Sequence, residues 1–330
     1  MKNFEYAQPA SEAEVLELLA TPDRSTALLA GGTDLVALMK DMVVTPDRVV
    51  DLGRVDSLQT IHHDALGHLW VGAGICLDEY RQSELTDAYP AVKQALQGIA
   101  SVQLQAQGTF GGELLQRPYC WYFRAGHGLL ADQGRQVVDG DNRFHAILGN
   151  RGPAKFVSAS RLAPALISLR ARVRVVGPDP DNEQLMPLES LFQTPRQEGE
   201  YEHTLSAGQL LTHVILPPDM GHLSAAYEVR HGEGPDAPLA AAAATMEVIH
   251  GRVQQARVVL GQVAPIPWVS AEAERFLVGE TLNEQTAEQA GQRALAEAMP
   301  LSNNQYKVQL AQVAVKRAIL RATGTDIGGF

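Results

Sequence analysis

Leu28, Leu29 and Ala30 run straight into Gly31-Gly32-Thr33-Asp34, and Leu35 opens a helical pattern behind them. Adjacent glycines let a backbone turn sharply and approach a ligand with no Cβ in the way. The amides of such a turn, with a helix start behind it, form a concavity suited to phosphate oxygens. A second turn of the same character follows downstream, Gly108-Thr109-Phe110-Gly111-Gly112-Glu113-Leu114-Leu115. One such turn is ordinary. Two, far apart in one chain, point to a diphosphate gripped from both sides.

The pattern around these turns is mixed helix and strand. Ser11-Glu12-Ala13-Glu14 has the form of a capping box, with Ser11 as N-cap and Glu14 reaching back to it, ahead of apolar residues at helical spacing. Thr26–Ala30 and Arg48–Leu52 read as strands, with a helix over Leu35–Met42 between them. A second unit begins near Leu58, with a strand at Leu69–Ala73 and helices at Asp78–Leu85 and Ala91–Ala100. Residues 118–153, rich in glycine and aromatic side chains, interrupt the pattern as an inserted loop, and loops that long are usually functional or mobile. The pattern resumes at Lys155–Ser158, with a helix over Leu162–Leu169 and strands over Arg172–Val176 and Leu211–Leu216. Pro217-Pro218 breaks the chain. Beyond it, Ala225–Arg230, Ala240–Ile249 and Gln254–Val263 form an antiparallel meander, and the remainder is helical. The expected division is 1–56, 57–218 and 219–330.

Other chemistries find no support. Of 330 residues, 45% are hydrophobic and 20% charged, with a formal net charge of −11 and no basic run, which argues against nucleic acid and anionic membranes. No apolar run approaches the roughly 20 residues that span a bilayer. The N-terminus has no apolar signal core, so the expected compartment is the cytoplasm, export with a signal-bearing partner remaining open. Val71-Gly72-Ala73-Gly74 lacks the third glycine of a dinucleotide fingerprint. His62, His63 and His68 flank a hairpin with no zinc-site spacing and read as solvated. Cys76 and Cys120 are too few for an iron–sulfur cluster, and no histidine near Cys120 in sequence marks it as a nucleophile. No metal site and no catalytic acid or base is expected.

Ala30-Gly31-Gly32-Thr33-Asp34-Leu35, Gly108-Thr109-Phe110-Gly111-Gly112, Leu162-Ala163-Pro164-Ala165-Leu166 and Gly261-Gln262-Val263-Ala264-Pro265-Ile266-Pro267 occur in this order. In that order they resemble the FAD-binding medium subunit of the molybdenum hydroxylases, the xanthine dehydrogenase and carbon monoxide dehydrogenase group. The resemblance covers nearly the whole chain. It implies an α+β protein: a two-part α/β FAD domain, then a domain of a three-stranded antiparallel sheet and helices. It also implies that Leu29, Ala30, Gly31, Gly32, Thr33, Asp34 and Leu35 on one side, and Gly108, Thr109, Gly111 and Gly112 on the other, clasp the FAD diphosphate. Tyr227 and Arg230 fall in the region near the flavin.

Three departures stand out. Glu113 replaces the family's usual Asn, and Arg161, just before Leu162, replaces an Asp that helps hold FAD. The two exchanges either compensate each other through an ion pair or weaken FAD binding. The insert resembles that of the 4-hydroxybenzoyl-CoA reductase branch, which carries a four-iron cluster there, yet only Cys120 is kept. The resemblance implies an electron-transfer subunit of a heterotrimer or a dimer of heterotrimers, beside a molybdenum-cofactor large subunit and a 2Fe-2S small subunit, with NAD or another acceptor. Two other readings remain open at this point: a scaffold subunit that has lost FAD, and a stand-alone flavin reductase.

Overall fold

Period-2 apolar runs become strands of three separate sheets in the computed structural model, which describes residues 1–325 except 22, 180, 233 and 235. Glu5–Ala7, Arg48–Asp51 and Thr26–Leu29 form a parallel sheet with Arg48–Asp51 in the middle. Helix Glu12–Leu19 lays Val15 and Leu16 on it, against Val50, Val55 and Leu58. Ser11 caps that helix through the Glu14 amide at 3.3 Å, but the Glu14 carboxylate reaches the N–H of Ala10 at 2.7 Å rather than that of Ser11. The reach-back therefore falls one residue earlier than expected.

The second sheet has five antiparallel strands in the spatial order Ile61–His63, Leu69–Gly72, Leu210–Leu216, Arg172–Val176, Glu183–Pro187. Helices Leu77–Gln82, Pro90–Gln97, Phe110–Leu114 and Leu162–Ser168 share one apolar core with it. All seven residues of Leu162–Ser168 are buried, and Pro164 is tolerated because it lies in the first turn, where no intrahelical N–H bond is needed. Lys155–Ser158 is a loop, tied by single bonds from Ala146 N to Lys155 O and from Ser158 N to Ala264 O.

The meander after Pro217-Pro218 consists of Leu223–Val229, Ala240–Ile249 and Arg252–Gly261, all antiparallel. Trp268–Val269 adds to its edge, so the expected three-stranded sheet has four strands. The prolines on both sides of Ile266 hide this short strand in the sequence. Helix Tyr306–Ala322 packs on the sheet through Ala311, Ala314 and Ala318, whose small side chains face the alanines of strand Ala240–Ile249. Burial against this helix overrides the helical propensity of an alanine run.

The insert is a small structure of its own. It holds short helices at Trp121–Arg124 and Arg135–Asp139, and Phe123, Leu129 and Leu130 form a core with Ala154, Phe156 and Leu38. Its far side is tied to the start of helix Tyr306–Ala322 and the segment before it. Asn142 Nδ2 reaches Ser302 Oγ at 2.9 Å, Asn304 Nδ2 reaches His145 O at 3.1 Å, and the buried Lys307 donates to Phe144 O at 3.1 Å and His145 O at 3.2 Å.

Candidate functional site

The first glycine turn leaves strand Thr26–Leu29 and ends in helix Leu35–Lys40. Gly32 has φ +70°, and a Cβ on Gly31 would lie 1.9 Å from the carbonyl oxygen of Gln107. The two glycine turns are therefore pressed backbone to backbone. Among the described residues, the N–H groups of Gly31, Gly32 and Thr33 donate no hydrogen bond. Loop amides without partners, beside a glycine with no Cβ, make an anion-binding concavity.

Asp34 does not cap its own helix. Its carboxylate faces the insert instead, accepting from Arg124 Nη2 at 2.7 Å and from the Arg117 amide at 2.9 Å. Arg124 is fixed in turn by the carbonyls of Pro118 and Arg117, both at 3.0 Å, and by the ring of Tyr119. Arg117 pairs with Glu202 at 2.6 Å and lies over Phe123 and Tyr201. The insert thus grips the first turn by its aspartate.

The second turn is occupied differently. Gly108 N donates to Leu104 O, Phe110 N to Ile75 O and Gly111 N to Ala73 O, each at 2.8 Å. Thr109 Oγ1 caps helix Phe110–Leu114 through Gly112 N at 3.2 Å, and Glu113 N bonds Thr109 O. Gly111 is small because a Cβ there would strike the Cβ of Ala73 at 2.6 Å. These glycines serve packing and hydrogen bonding within the protein.

Glu113 and Arg161 meet, but not fork to fork. The buried Glu113 carboxylate accepts from the Arg161 amide at 2.6 Å, the Ser160 hydroxyl at 2.7 Å and the Leu162 amide at 3.3 Å, at the start of helix Leu162–Ser168. Burial pushes its pKa up, and these donors with the Arg161 charge pull it part of the way back. The Arg161 guanidinium turns away, to the carbonyls of Gly98 and Asp236, with Glu228 3.9 Å from Nη1. Among the described residues no ion pair joins the two side chains, so the ion-pair form of compensation is not made; the link is the Arg161 amide and the field of its charge.

Gly98 O also accepts from Arg230 Nη1 at 3.3 Å. That carbonyl joins the glycine turns to a cavity of about 360 Å³, within the size range of small-ligand pockets, walled in part by Tyr227, Arg230 and Arg321. Tyr227 is buried, its ring lying 5.1 Å from Arg317 and 5.0 Å from Arg321 and its hydroxyl bonded to Arg317.

Several residues singled out from sequence are brought together. Gly31 abuts Gln107 and Gly108; Glu113 reaches Arg161 and Leu162; Arg161 and Arg230 share Gly98 O, with Tyr227 beyond. Sequence reasoning missed Gln107, Gly98, Arg117, Arg124 and Glu228. Arg117 and Arg124, spaced among Tyr119, Trp121, Tyr122 and Phe123, carried a readable signal of stacked guanidinium groups. It also missed the partner of Cys120, whose Sγ lies 3.2 Å from Nε2 of His145, brought there by the fold of the insert. Burial raises the Cys120 thiol pKa, and burial with the Lys307 charge lowers that of His145 to about 4. Both groups are neutral at pH 7, which is inert rather than nucleophilic chemistry.

An FAD-sized dinucleotide suits this donor set: unpartnered amides for its diphosphate at one end, and a cavity with guanidinium and carboxamide groups at the other.

Comparison with known proteins shows the family. The family model described as "FAD binding domain in molybdopterin dehydrogenase" matches residues 2–219, and "CO dehydrogenase flavoprotein C-terminal domain" matches 225–322. The chain is 29% identical to the aldehyde oxidoreductase FAD-binding subunit PaoB of Escherichia coli, over 98% of this chain and 99% of that one. It is 26% identical to the carbon monoxide dehydrogenase medium chain of Afipia carboxidovorans, over 97% and 96% of the two chains. Among solved structures, quinoline 2-oxidoreductase from Pseudomonas putida superposes with a TM-score of 0.76 at 25% identity, covering 98% of this chain and 99% of that one.

Proposed function

The chain belongs to the FAD-binding medium subunits of the molybdenum hydroxylases, and from that premise we propose how its own residues hold the cofactor. The carrying observation is the set of unpartnered amides at Gly31, Gly32 and Thr33, pressed against Gln107 of the second turn. Leu29 through Leu35 bind the diphosphate. Gly108, Thr109, Gly111 and Gly112 form the opposite wall, Glu113 fixes the start of helix Leu162–Ser168 at Arg161 and Leu162, and Tyr227 with Arg230 closes the ring end. The divisions at 56 and 218 separate the two parts of the FAD domain from a C-terminal domain that contributes Tyr227 and Arg230.

Bound FAD supplies the redox chemistry, taking up electrons and releasing them to an acceptor. The protein binds, orients and shields it and sets its potential through hydrogen bonds and charge. In this reading no residue acts as general acid or base. The curated relatives are named as subunits and medium chains, so they are components of multi-subunit enzymes. The partners proposed here are a molybdenum-cofactor large subunit and a 2Fe-2S small subunit, in a heterotrimer or its dimer, with NAD or another acceptor, in the cytoplasm. Among the described residues no helix is long and apolar enough to cross a membrane.

One observation favours a second reading, a scaffold without flavin: nearly all amides of the second turn already have protein partners. The test is the visible spectrum of the purified chain, with release of any chromophore. Stoichiometric FAD supports the cofactor-carrying reading. A folded protein that stays colourless with added FAD and partner subunits leaves the scaffold.

A further inference from the structure

Lys307 is a cation in a place that works against it. It is 1% exposed and lies in the first turn of helix Tyr306–Ala322, a turn that holds no acidic residue. The N-terminus of a helix carries positive partial charge and disfavours cations. Among the described residues no carboxylate pairs with the ammonium, and burial pulls its pKa down to about 7. A buried charge with no counter-ion is costly, and an apolar side chain of similar length would avoid that cost.

The ammonium has three backbone carbonyls instead: Gln262 O at 2.7 Å, Phe144 O at 3.1 Å and His145 O at 3.2 Å. An ammonium has three N–H bonds to give, so the set is complete. Two of the acceptors belong to the insert. The third follows strand Arg252–Gly261, at a residue held at φ +57°. Neighbouring bonds close the same seam. The Tyr306 hydroxyl donates to Arg143 O, Asn303 N to Asn142 Oδ1 and Asn150 Nδ2 to Met299 O, each at 2.9 Å.

Both sides of the seam lead to the candidate site. On the insert side, Arg124 holds Asp34 of the first glycine turn. On the helix side, Arg317 bonds the Tyr227 hydroxyl, and Arg321 Nη1 donates to Ala226 O at 3.1 Å. Insert and helix thus form a strap that runs from Asp34 to Tyr227, and Lys307 is where its two halves join.

We propose that Lys307 is a positioning residue: it latches the insert to helix Tyr306–Ala322 and so fixes the spacing between the first glycine turn and Tyr227. The proposal rests on the cofactor-binding reading above. Such a latch leaves the first turn able to bind a diphosphate by itself. It acts on a ligand long enough to reach both ends.

The experiment compares the full-length chain with Lys307→Met, which is similar in length and lacks every donor. Affinities for FAD and ADP, the visible spectrum of bound FAD and the melting temperature are measured for both. ADP carries the diphosphate and no flavin ring. FAD affinity should fall about fivefold while ADP affinity stays within about twofold, and the bound-flavin spectrum should shift towards that of free FAD. Lys307→Arg still presents donors to the carbonyls and should recover part of the loss. Equal losses for FAD and ADP would put the effect at the first turn alone and overturn the proposal. So would a lower melting temperature with FAD affinity and spectrum as in wild type, which would leave Lys307 a support of the fold. Tyr306→Phe, at a position 40% exposed, removes only the hydroxyl tie to Arg143 O and gives an independent reading should the Lys307 variants not fold. A loss of about twofold for FAD with ADP unchanged is expected there, and FAD binding as in wild type counts against the proposal. A wild-type chain that binds no FAD fails the underlying reading, before any variant is made.

Discussion

The two glycine turns look alike in sequence and differ in what holds them. In the first, the amides of Gly31, Gly32 and Thr33 have no partner among the described residues, and the turn is braced from outside by Arg124 and the Arg117 amide on Asp34. In the second, the amides of Gly108, Phe110, Gly111 and Gly112 all have partners, and the turn is braced from within by the Thr109 cap. A Gly-Gly pair thus occurs in two settings: one leaves its amides without partners among the described residues, the other leaves room for the backbone of Ala73. The first turn should accordingly govern cofactor affinity and the second should govern stability.

The largest effect is expected from Gly31→Ala. The new methyl would meet backbone atoms of Gln107, which have no rotamer to retreat into, so the contact between the turns must open. Overpacking of this kind costs about 1–3 kcal/mol, and displaced amides add to it, so FAD affinity should fall at least about 100-fold in a titration of FAD fluorescence. Gly112→Ala meets only the Thr109 hydroxyl, at 2.8 Å, and should cost about tenfold or less. Equal losses in the two variants would break the comparison.

Next comes the brace. Arg124→Ala leaves the Asp34 carboxylate, 15% exposed, with the Arg117 amide alone. Losing a charge-assisted hydrogen bond in a half-buried pair is worth about 1–2 kcal/mol, so FAD affinity should fall about tenfold. The melting temperature of the FAD-free chain should fall less than that of the FAD-loaded chain. Arg124→Lys should recover part of the affinity, because a point charge still reaches Asp34 but cannot serve the two carbonyls together. A variant that melts lower and binds FAD as wild type would mean that the insert supports the fold and not the turn.

The insert should also make the first turn acid-sensitive. The ordinary histidine pKa near 6.5 falls to about 4 in folded His145, so between these values the unfolded chain takes up a proton that the native chain refuses. The contribution is fully present above pH 6.5 and is lost as pH drops towards 4, by on the order of 3 kcal/mol in all. His203, beside Arg117 and also lowered to about 4, adds in the same direction. FAD affinity should therefore decline a fewfold from pH 7 to pH 5.5. Hydrogen exchange in FAD-loaded protein should accelerate at residues 31–34 before 109–113. His145→Asn should flatten the decline; an unaltered profile in that variant would detach the insert from the turn.

How much of this was legible in sequence depends on the range of the contacts. Strand Thr26–Leu29, the meander and the helices around residues 12, 90 and 306 follow local periodicity and were readable. Strand Glu5–Ala7 was not, because half-exposed Ala7 and exposed Glu5 and Tyr6 carry no apolar alternation and the strand forms only by pairing with Arg48–Asp51. Glu183–Pro187 is an edge strand with four of five residues exposed, and was hidden for the same reason. The glycine pairs marked both turns in the sequence as candidates for a phosphate site. Their unlike bracing depends on Arg124, Gln107 and Glu202, all distant in sequence from Asp34 or Gly31. Glu228 could be placed on a strand, but that its carboxylate lacks donors among the described residues is a fact of packing.

Glu113→Ala should show the smallest effect on the cofactor and so tests the other half of the comparison. The substitution removes the acceptor for the Ser160 hydroxyl and for the amides of Arg161 and Leu162, all buried. Each buried donor left without a partner costs about 1–3 kcal/mol, while relief from burying a carboxylate whose pKa is already pushed up offsets part of that. The balance is a loss of stability, visible as a melting temperature lower by several degrees. The FAD affinity of the folded protein should stay within about threefold of wild type, because the carboxylate acts on helix Leu162–Ser168 and the first turn keeps its free amides. Glu113→Asn, too short to span the three donors, should lie between alanine and wild type in stability. If either variant lost FAD tenfold or more at an unchanged melting temperature, Glu113 would be touching the cofactor, and the two turns would share the diphosphate after all.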